Sequence, residues 1–471
     1  MNPLPYESML ASLAGVGLFL PMLRKGERAW SLSVLILSAS LALSVVTLYL
    51  SMSSEPCYLF SGMLELDPYG SLFSALVLLG ALLAVLASKP AAKWTTSSSF
   101  YSLTLISMLG VCVIAFTNDI TVALTAWLLS SVASYAIVSL AKDEASAEGG
   151  VKYAIMGSTS TIFLFMGTFI LFLSAGTTLL SSTLRPIPLN PIFGGYTVLM
   201  ASILLVVAVG FKMGIFPFQA WLPDTYGGVH PSLIAFVIPM AKALALLALF
   251  RLIYPVAVQY PETWFIIASV FSILTMFFGN LAALLQDDAQ RMMAYSSIAH
   301  AGYFFVGFAG ISALAGLNLE WAMMGLLVHY AAYSLAKVGI FAGLEEAKEK
   351  IGGVMLSDLS GLGRRMPITS SMLLILLLSL MGAPPLLGFW GKLYLFASVV
   401  GLSPLLTLLA ILNSAISVAY YARVIKAMYF SPGDYERIPE RGWPLYSIIA
   451  SAILTVLLGL VALPLAEMVV P

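Results

Sequence analysis

Long apolar stretches, interrupted by charged residues or by proline and glycine, dominate this sequence. Of its 471 residues, only 9% are charged and 60% are apolar, and the mean hydropathy is +0.99. A soluble domain carries about 25% charged residues, so this chain has too few to cover a folded surface in water. A helix needs about 20 largely apolar residues to cross the hydrocarbon. The sequence therefore predicts an all-α, polytopic membrane protein.

Fourteen segments have the length and composition of a membrane crossing. They lie near residues 7–23, 30–50, 69–88, 98–116, 119–140, 153–175, 197–220, 231–253, 262–285, 292–312, 320–344, 367–399, 404–429 and 444–468. Two of them, at 197–220 and 367–399, contain prolines, which remove a backbone donor and should break those helices. The first segment lacks a basic start and a small-residue cleavage site, so we expect a retained span.

The 22 Lys and Arg residues predict the orientation. If the N-terminus lies outside, sixteen fall in inward loops or at the adjoining helix ends, and two, Arg185 and Arg251, fall outward. Inward loops normally carry the excess of positive charge. We therefore expect both termini to face outside, in the plasma membrane of a prokaryote. The longest inward loop, at 345–366, is expected to be a solvated or partner-facing connector.

The four remaining cations, Lys212, Lys242, Lys337 and Lys392, lie inside apolar spans. An isolated lysine near the centre of such a helix costs about 2.5–3.5 kcal/mol. All 22 carboxylates fall in loops or within a turn or so of a helix end, so no acid in mid-membrane neutralises these amines. Desolvation and repulsion favour the uncharged amine, which makes the four lysines candidates to gain and lose protons. The alternative is a structural lysine that snorkels or binds carbonyls, and Lys337 fits it best.

Two histidines, His300 and His329, share this depth. A lone intramembrane histidine is more often a hydrogen-bonded packing residue, which is the simpler interpretation of His300 taken alone. His329, Tyr333 and Lys337 recur at i, i+4 and i+8, which places them on one helical stripe in steps of about 6 Å. A polar stripe on an apolar helix favours a hydrated interior over a lipid-facing surface. His230, at a helix entrance, is assigned no chemistry.

Both proline-broken spans carry a lysine. Lys212 lies about a turn before Pro217, and Lys392 lies a few residues after Pro384 and Pro385. Broken helices expose backbone groups, which lipid excludes unless they line a polar cavity. In the predicted topology the two spans run in opposite directions, as an inverted repeat of two five-helix units produces. The predicted parts are three N-terminal helices (1–97), a first repeat (98–253), an inverted second repeat (254–429) and a C-terminal helix (430–471).

Metal and cofactor motifs are missing from the sequence. Cys57 and Cys112 have neither a CxxC spacing nor neighbouring histidines, and no pattern for flavin, haem or an iron–sulfur cluster occurs. The formal net charge of zero offers no basic face for nucleic acid. We therefore expect no cofactor or metal in this chain, no nucleic-acid partner, and lipid as its solvent.

Three ordered stretches carry a family resemblance. They are GFKMGIFPFQAWLPD from Gly210, AYSSIAHAGYFFVGF from Ala294 and LMGAPPLLGFWGKLYLF from Leu380. They resemble the antiporter-like membrane subunits of respiratory complex I, membrane-bound hydrogenases and multisubunit cation/proton antiporters, closest to the N-, M- or D-type subunits. The likeness covers nearly the entire chain. It implies two inverted five-helix units and a proton path along a central polar axis. The implied partners are other antiporter-like and small membrane subunits, together with peripheral subunits that hold the redox cofactors.

The resemblance also implies roles for individual residues. The family's lysines on the first broken helix, on the next helix and on the second broken helix match Lys212, Lys242 and Lys392. His300 falls at a histidine that many members carry. The stretch HYAAYSLAK from His329 is similar to the histidine/lysine helix of the antiporter and hydrogenase branch, with Tyr333 in place of its second histidine.

One position departs from the family pattern. Members commonly carry a glutamate directly after tryptophan, in a pattern like WELLSLxSY, and that glutamate pairs with the first broken-helix lysine. This chain reads AWLLSSVASY from Ala126, with Leu128 in the glutamate's place. A leucine holds no proton. Either Lys212 takes its counter-charge from Asp119, Asp143 or a neighbouring subunit, or the first half-channel works differently.

We therefore expect a proton-translocating subunit of a redox-driven membrane complex, of the complex I-like quinone oxidoreductase or membrane-bound hydrogenase type. Protons are expected to enter from the inner side to Lys212 and Lys242, to cross through water and the histidine-bearing stripe, and to leave outward by Lys392. Three other functions fit the residues: a sodium/proton antiporter subunit without redox partners, an autonomous solute carrier with inverted repeats, and a non-pumping structural subunit, which Leu128 favours.

Overall fold

Helices make up most of the described chain. The computed structural model describes residues 2–23, 25–53, 55–94, 96–183, 194–313, 317–432 and 436–462. Arg185, one of the two predicted outward cations, lies outside the described residues. A single short hairpin, β1 (Cys57–Leu59) paired antiparallel with β2 (Leu64–Leu66), is the only sheet within these ranges.

The α-helices follow one another along the chain with short connections. They are α1 Leu4–Phe19, α2 Gly26–Met52, α3 Pro68–Ala87, α4 Ser97–Ile114, α5 Ile120–Val138, α6 Glu144–Ala175, α7 Leu180–Thr183, α8 Gly194–Met213, α9 Trp221–Gly228, α10 Pro231–Gln259, α11 Pro261–Leu284, α12 Ala289–Gly310, α13 Leu317–Ile351, α14 Leu362–Arg365, α15 Pro367–Met381, α16 Leu387–Val400, α17 Pro404–Phe430 and α18 Trp443–Leu460. Short 3₁₀ helices lie at Leu20–Met22, Lys89–Lys93, Ser139–Ala141 and Ile311–Ala313.

Ten of the described helices are long and apolar enough to cross a membrane. Three shorter apolar helices accompany them, at Leu199–Met213, Pro367–Met381 and Leu387–Val400. The chain is therefore a mostly helical protein of the multi-pass membrane type. The number of fourteen crossings and the two inverted units stay predictions.

Helices α10 and α13 form the centre of the bundle. In the most apolar part of each helix, the share of residues buried inside the protein is 94% for α10 and 100% for α13, against 28% for α2. A helix covered on all sides by other helices does not meet lipid, so it can carry ionisable side chains at lower cost. Lys242 lies on α10, and His329, Tyr333 and Lys337 lie on α13.

Two interruptions lie within the bundle. The first separates α8 from α9 and contains Pro217, and the second separates α15 from α16 and contains Pro384 and Pro385. The peptide bonds before Pro217 and Pro385 are cis. Proline has no N–H and cannot continue the hydrogen-bond ladder of a helix, which accounts for the position of both interruptions.

Both interruptions begin with the same local conformation. Met213 and Met381 end their helices, and a glycine follows each of them, with φ of +69° at Gly214 and +92° at Gly382. This left-handed conformation ends helices and is open to glycine because it lacks Cβ. The sequence reads Met-Gly-x-x-Pro at both places. The two broken spans therefore share a short pattern that hydropathy does not reveal.

The predicted inward loop at 345–366 begins too early. Helix α13 continues to Ile351, and the side chains of Glu345 and Glu346 lie buried near its end. Glu346 accepts a hydrogen bond from Lys350, one turn later, at 2.7 Å. The prediction is wrong here because hydropathy assigns a run of acids and lysines to solvent, whereas neighbouring helices cover the two acids.

Arg251, the other predicted outward cation, joins three elements at one end of the bundle. Its guanidinium donates to the Asp67 carboxylate at 2.5 Å and to the Ala115 carbonyl at 2.5 Å. Asp67 also caps α3 by accepting the N–H of Gly70 at 2.6 Å. Paired charge-assisted contacts of this kind hold geometry well, and they fix α10 against α3 and the end of α4.

Asp119 caps the N-terminus of α5. Its carboxylate accepts the N–H groups of Thr121 at 2.8 Å and of Val122 at 3.2 Å, and the Thr121 hydroxyl as well. Burial acts to raise the pKa of the Asp119 carboxyl, but these hydrogen bonds outweigh it, and the pKa lies below its ordinary value. A depressed pKa in the folded state adds stability above the ordinary pKa of about 3.9, and that stability is lost as the pH falls through the folded-state pKa.

Asp119→Ala should destabilise the protein by about 1 kcal/mol at neutral pH, because it removes a helix cap. The difference from the wild type should shrink as the pH falls from about 4 through the lowered folded-state pKa of Asp119, below which the carboxyl is protonated in the folded and the unfolded state. Thermal unfolding midpoints of both detergent-solubilised proteins across this pH range measure the effect. A difference that stays constant down to the lowest pH would contradict a charged cap.

Gly388 lies at the start of α16, where a Cβ would stand 1.8 Å from the carbonyl oxygen of Ser379. Gly388→Ala should therefore force α16 away from α15 and destabilise the protein by about 1–3 kcal/mol. Gly15→Ala is the matched control, because a Cβ there meets nothing within 4 Å. We expect a lower thermal unfolding midpoint for the first variant only, and equal midpoints would contradict the packing at the second interruption.

Candidate functional site

Lys212 lies one residue before the end of α8, and it is 1% exposed. Its Nζ donates to Ser134 Oγ at 3.2 Å and lies 4.7 and 4.8 Å from the ring centroids of Tyr135 and Tyr153. The Tyr153 hydroxyl is 3.2 Å from Ser134 Oγ. Hydroxyls and aromatic faces attract an ammonium ion without pairing it with a full negative charge.

No carboxylate forms an ion pair with Lys212 in the part of the chain that the structure describes. Asp119 and Asp143 accept backbone N–H groups at 2.8 and 2.7 Å as the caps of α5 and α6. Leu128 is half-buried on α5, the helix that also carries Ser134. Ser134 therefore supplies the hydrogen-bond acceptor of Lys212, and the two aspartates serve as helix caps.

Lys242 and Lys392 bind the carbonyls that the two interruptions leave free. Lys242 donates to the carbonyl of Met213, the last residue of α8. Lys392 donates to the carbonyl of Met381, the last residue of α15, at 3.0 Å and to Ser414 Oγ at 2.9 Å. The final carbonyls of a helix lack intrahelical partners and carry partial negative charge. Each interruption thus offers its lysine an acceptor in place of an acid.

Lys337 lies near the middle of α13 and is fully buried. Its Nζ donates to the Met293 carbonyl at 2.7 Å and to Ser296 Oγ at 2.9 Å, both on α12. The ring of Tyr333, one turn earlier, has its centroid 5.8 Å from the amine. The side chain thus ends inside the bundle and does not reach the surface.

His300 and His329 form a pair between α12 and α13. His300 Nδ1 lies 3.0 Å from His329 Nε2, and both side chains are buried. The ring of Tyr333 packs beside them, with its centroid 5.5 Å from that of His300. His329 Nδ1 has no hydrogen-bond partner among the described residues. His300 is therefore bonded to a second imidazole and is not an isolated packing residue.

Ser296 and Tyr421 connect Lys337 with the histidine pair. Ser296 Oγ lies 2.5 Å from the Tyr421 hydroxyl, which in turn lies 3.3 Å from His300 Nε2. Together with the bond from Lys337 to Ser296, these contacts make a continuous series of hydrogen bonds from Lys337 to His329. Hydropathy reveals neither hydroxyl, although the i, i+4 spacing of Ser296 and His300 places them on one face of α12.

A second polar cluster lies beside the histidines. Asn280 donates to the Tyr303 hydroxyl at 3.2 Å and to the Asn413 carbonyl at 3.0 Å, and it accepts the Tyr420 hydroxyl at 3.2 Å. Lys392 Nζ lies 5.1 Å from the centroid of the Tyr303 ring. The cluster's only signal in the sequence is the presence of Asn280 and Asn413 inside apolar spans.

A polar cleft of about 410 Å³ opens beside α9, the helix that follows the first interruption. Lys152 donates to Asp224 at 2.7 Å and pairs with Glu148 at 2.6 Å. Arg291 donates to the other oxygen of Asp224 at 3.3 Å. Helices α6, α9 and α12 thus bring their charged ends together at this cleft.

His230 lies just before α10, near the buried Glu345. Its Nδ1 is 3.3 Å from Glu345 Oε2, and its ring packs edge-on against Trp94, with centroids 4.9 Å apart. Burial, followed by the charge of Lys348, lowers the pKa of His230 to about 4. The imidazole is therefore neutral near pH 7, and its contact with Glu345 is not an ion pair there.

The structure arranges the predicted ionisable residues in three groups. They are Lys212 with Lys242 at the first interruption, Lys337 with Tyr333, His300 and His329 in the centre, and Lys392 at the second interruption. Among the described residues, no group of three or more His, Cys, Asp or Glu could hold a metal ion. What the arrangement offers chemically is proton exchange among amines, imidazoles and hydroxyls.

Comparisons with known proteins place this arrangement in a family. Residues 117–417 match the family described as NADH:quinone oxidoreductase/Mrp antiporter, TM. NADH-quinone oxidoreductase subunit N of Desulfitobacterium hafniense is 31% identical over an alignment 477 positions long, covering 97% of this chain and 94% of that protein. F(420)H(2) dehydrogenase subunit N of Methanosarcina mazei is 32% identical over 393 residues, covering 80% of this chain and 77% of that protein.

A solved structure of respiratory complex I from Thermus thermophilus contains a chain of the same fold. The TM-score is 0.81 at 29% sequence identity, and the superposition covers 98% of each chain. The matched family region begins before α5 and ends within α17, so it contains every lysine and histidine of the three groups. The chain belongs to the NADH:quinone oxidoreductase/Mrp antiporter family, as one of its antiporter-like membrane subunits.

Proposed function

We propose that this chain translocates protons as a subunit of a redox-driven membrane complex of the complex I or membrane-bound hydrogenase type. The relatives reported above are named as subunits of NADH-quinone oxidoreductase and F(420)H(2) dehydrogenase. One observation carries the proposal for this chain: its four intramembrane lysines are at most 4% exposed, and their hydrogen bonds go to hydroxyls and carbonyls.

The neutral character of these partners is what suits the lysines to proton transfer. A lysine paired with a carboxylate is held in its charged form, whereas carbonyl and hydroxyl oxygens leave the neutral amine accessible. A small change of charge nearby can then decide whether an amine holds its proton. We propose that an adjoining subunit supplies that change when its redox partner reacts.

The proposed entrance is the polar cleft beside α9. Lys152 and Arg291, which share Asp224 there, both belong to the cations predicted to face the inner side. Helix α9 leads from the cleft to the first interruption, where Lys212 directly precedes Met213 and Lys242 donates to the Met213 carbonyl. Water in the cleft would deliver protons to this pair.

The proposed exit begins at Lys392. Its partner Ser414 is half-buried on α17, whereas the residues that accept hydrogen bonds from the other three lysines are all buried. Helix α17 also carries exposed apolar residues, among them Leu405 and Leu412, so one of its faces meets lipid or a neighbouring membrane subunit. A proton that reaches Lys392 can therefore pass by Ser414 towards the outer side.

We also propose that the chain contains two inverted repeats. The units at 98–253 and 254–429 each contain a Met-Gly-x-x-Pro interruption, and in each a lysine binds the carbonyl of the methionine. The remaining parts, 1–97 and 430–471, would complete fourteen crossings with both termini outside, in a prokaryotic plasma membrane. Other antiporter-like and small membrane subunits would cover the exposed apolar faces, and peripheral subunits would hold all redox cofactors.

Lys212→Met and Lys392→Met should each lower proton uptake by about tenfold or more in the reconstituted holocomplex, because methionine keeps the bulk and cannot carry a proton. Tenfold corresponds to about 1.4 kcal/mol in the barrier. Proton uptake into proteoliposomes and the rate of electron transfer are measured on the same preparations. Electron transfer should persist.

Lys93→Met is the matched control, because Lys93 is exposed and outside the three groups. Normal proton uptake in both Lys212→Met and Lys392→Met would contradict the proposal and favour the non-pumping structural subunit that Leu128 suggests. Transport that requires sodium and proceeds without electron transfer would favour the cation/proton antiporter instead.

A further inference from the structure

We propose that the Tyr421 hydroxyl, together with Ser296, relays protons between Lys337 and the His300/His329 pair. This inference rests on the proposed function. It gives a role to Ser296, which lies in the stretch from Ala294 without a role there, and to Tyr421, which lies outside all three stretches. Both side chains are fully buried. They come from different helices, Ser296 from α12 and Tyr421 from α17.

The contacts of Lys337 leave one direction for its proton. Its Nζ donates to the Met293 carbonyl and to Ser296 Oγ. A carbonyl oxygen accepts a hydrogen bond but has no proton of its own to pass on. A serine hydroxyl both accepts and donates, so a proton leaving this amine along its hydrogen bonds goes to Ser296 and from there to Tyr421, 2.5 Å away.

The transfer balances without leaving charge on either hydroxyl. Lys337 gives a proton from Nζ to Ser296 Oγ while Ser296 gives its own to the Tyr421 oxygen, and Tyr421 gives its own to His300 Nε2, 3.3 Å away. Each O–H bond that breaks is replaced by a new one. The net result is one proton moved from the amine to the imidazole, and rotation of the two hydroxyls restores the starting orientation.

The histidine pair then continues the series. Once Nε2 of His300 is protonated, its Nδ1 can donate its proton to His329 Nε2, 3.0 Å away. His329 Nδ1 is left as the next donor, and it is buried without a partner among the described residues. A buried polar atom of this kind is a site for an ordered water. Gly391 of α16 packs against the backbone of His329, and Lys392 is the next residue on that helix.

Tyr101 provides the comparison that isolates the role of the Tyr421 hydroxyl. It lies on α4, outside the three groups, and it is fully buried like Tyr421. The Tyr101 hydroxyl donates to the Ser88 carbonyl at 3.0 Å, and a carbonyl has no proton of its own to pass on. Replacing either tyrosine with phenylalanine removes one buried hydroxyl, and only the hydroxyl of Tyr421 lies in the series.

The experiment compares Tyr421→Phe with Tyr101→Phe in the reconstituted holocomplex. Protons taken up per electron pair, the rate of electron transfer and the thermal unfolding midpoint are measured for both. We expect Tyr421→Phe to lower proton uptake about tenfold or more while Tyr101→Phe stays within about twofold, at similar midpoints; tenfold is about 1.4 kcal/mol in the barrier. Equal proton uptake in the two variants would overturn the relay.

Ser296 supplies a second pair of variants that does not depend on α17. Ser296→Thr keeps the hydroxyl and should keep proton uptake, whereas Ser296→Ala removes it and should lower uptake as Tyr421→Phe does. Loss of uptake in both would show that the size of the side chain matters and not its hydroxyl, which would overturn the relay. Loss in Lys212→Met and Lys392→Met with normal uptake in Tyr421→Phe would reject the relay alone. Normal uptake in the lysine variants would reject the proposed function.

Discussion

The hydrogen bond between a buried lysine and the last carbonyl of a broken helix is the interaction on which the rest of the structure depends. Lipid offers no partner to a backbone carbonyl, so every one that an interruption frees needs a donor inside the protein. Lys242 donates to Met213 and Lys392 to Met381. The carbonyl needs the amine, and the amine in turn needs shielding from acyl chains, so both interruptions must lie in the interior of the bundle.

The enclosure of α10 and α13 follows from this requirement. Side chains at the centre of α13 can be polar only because other helices surround it completely. The same enclosure deprives the amines of bulk water, and their partners are hydroxyls, carbonyls and aromatic faces. Lys212, held by Ser134 between two tyrosine rings, shows how an amine can be accommodated without an ion pair.

Hydropathy and proline placement predict the parts of this fold that depend on single positions. The apolar spans, the two interruptions and the four isolated lysines are visible because each is a local departure from its surroundings. Contacts between distant helices are not visible in this way: Ser296 and Tyr421 bond each other across 125 positions of the chain. Glu345 shows the opposite error, since its charge indicates solvent while its position in the fold is buried. Packing decides both cases, and one sequence does not encode it locally.

The contacts at the two interruptions also limit what Leu128 changes in the structure. Lys392 follows the second interruption and binds its free carbonyl, and at the first interruption this place is taken by Lys242, whereas Lys212 precedes the break. Lys242 and Lys392 therefore share one contact, the carbonyl of the methionine that ends a broken helix. In the family pattern the glutamate pairs with the first broken-helix lysine, which Lys212 matches, and Lys212 binds Ser134. Leucine at position 128 thus leaves both carbonyl-bound lysines with their acceptors.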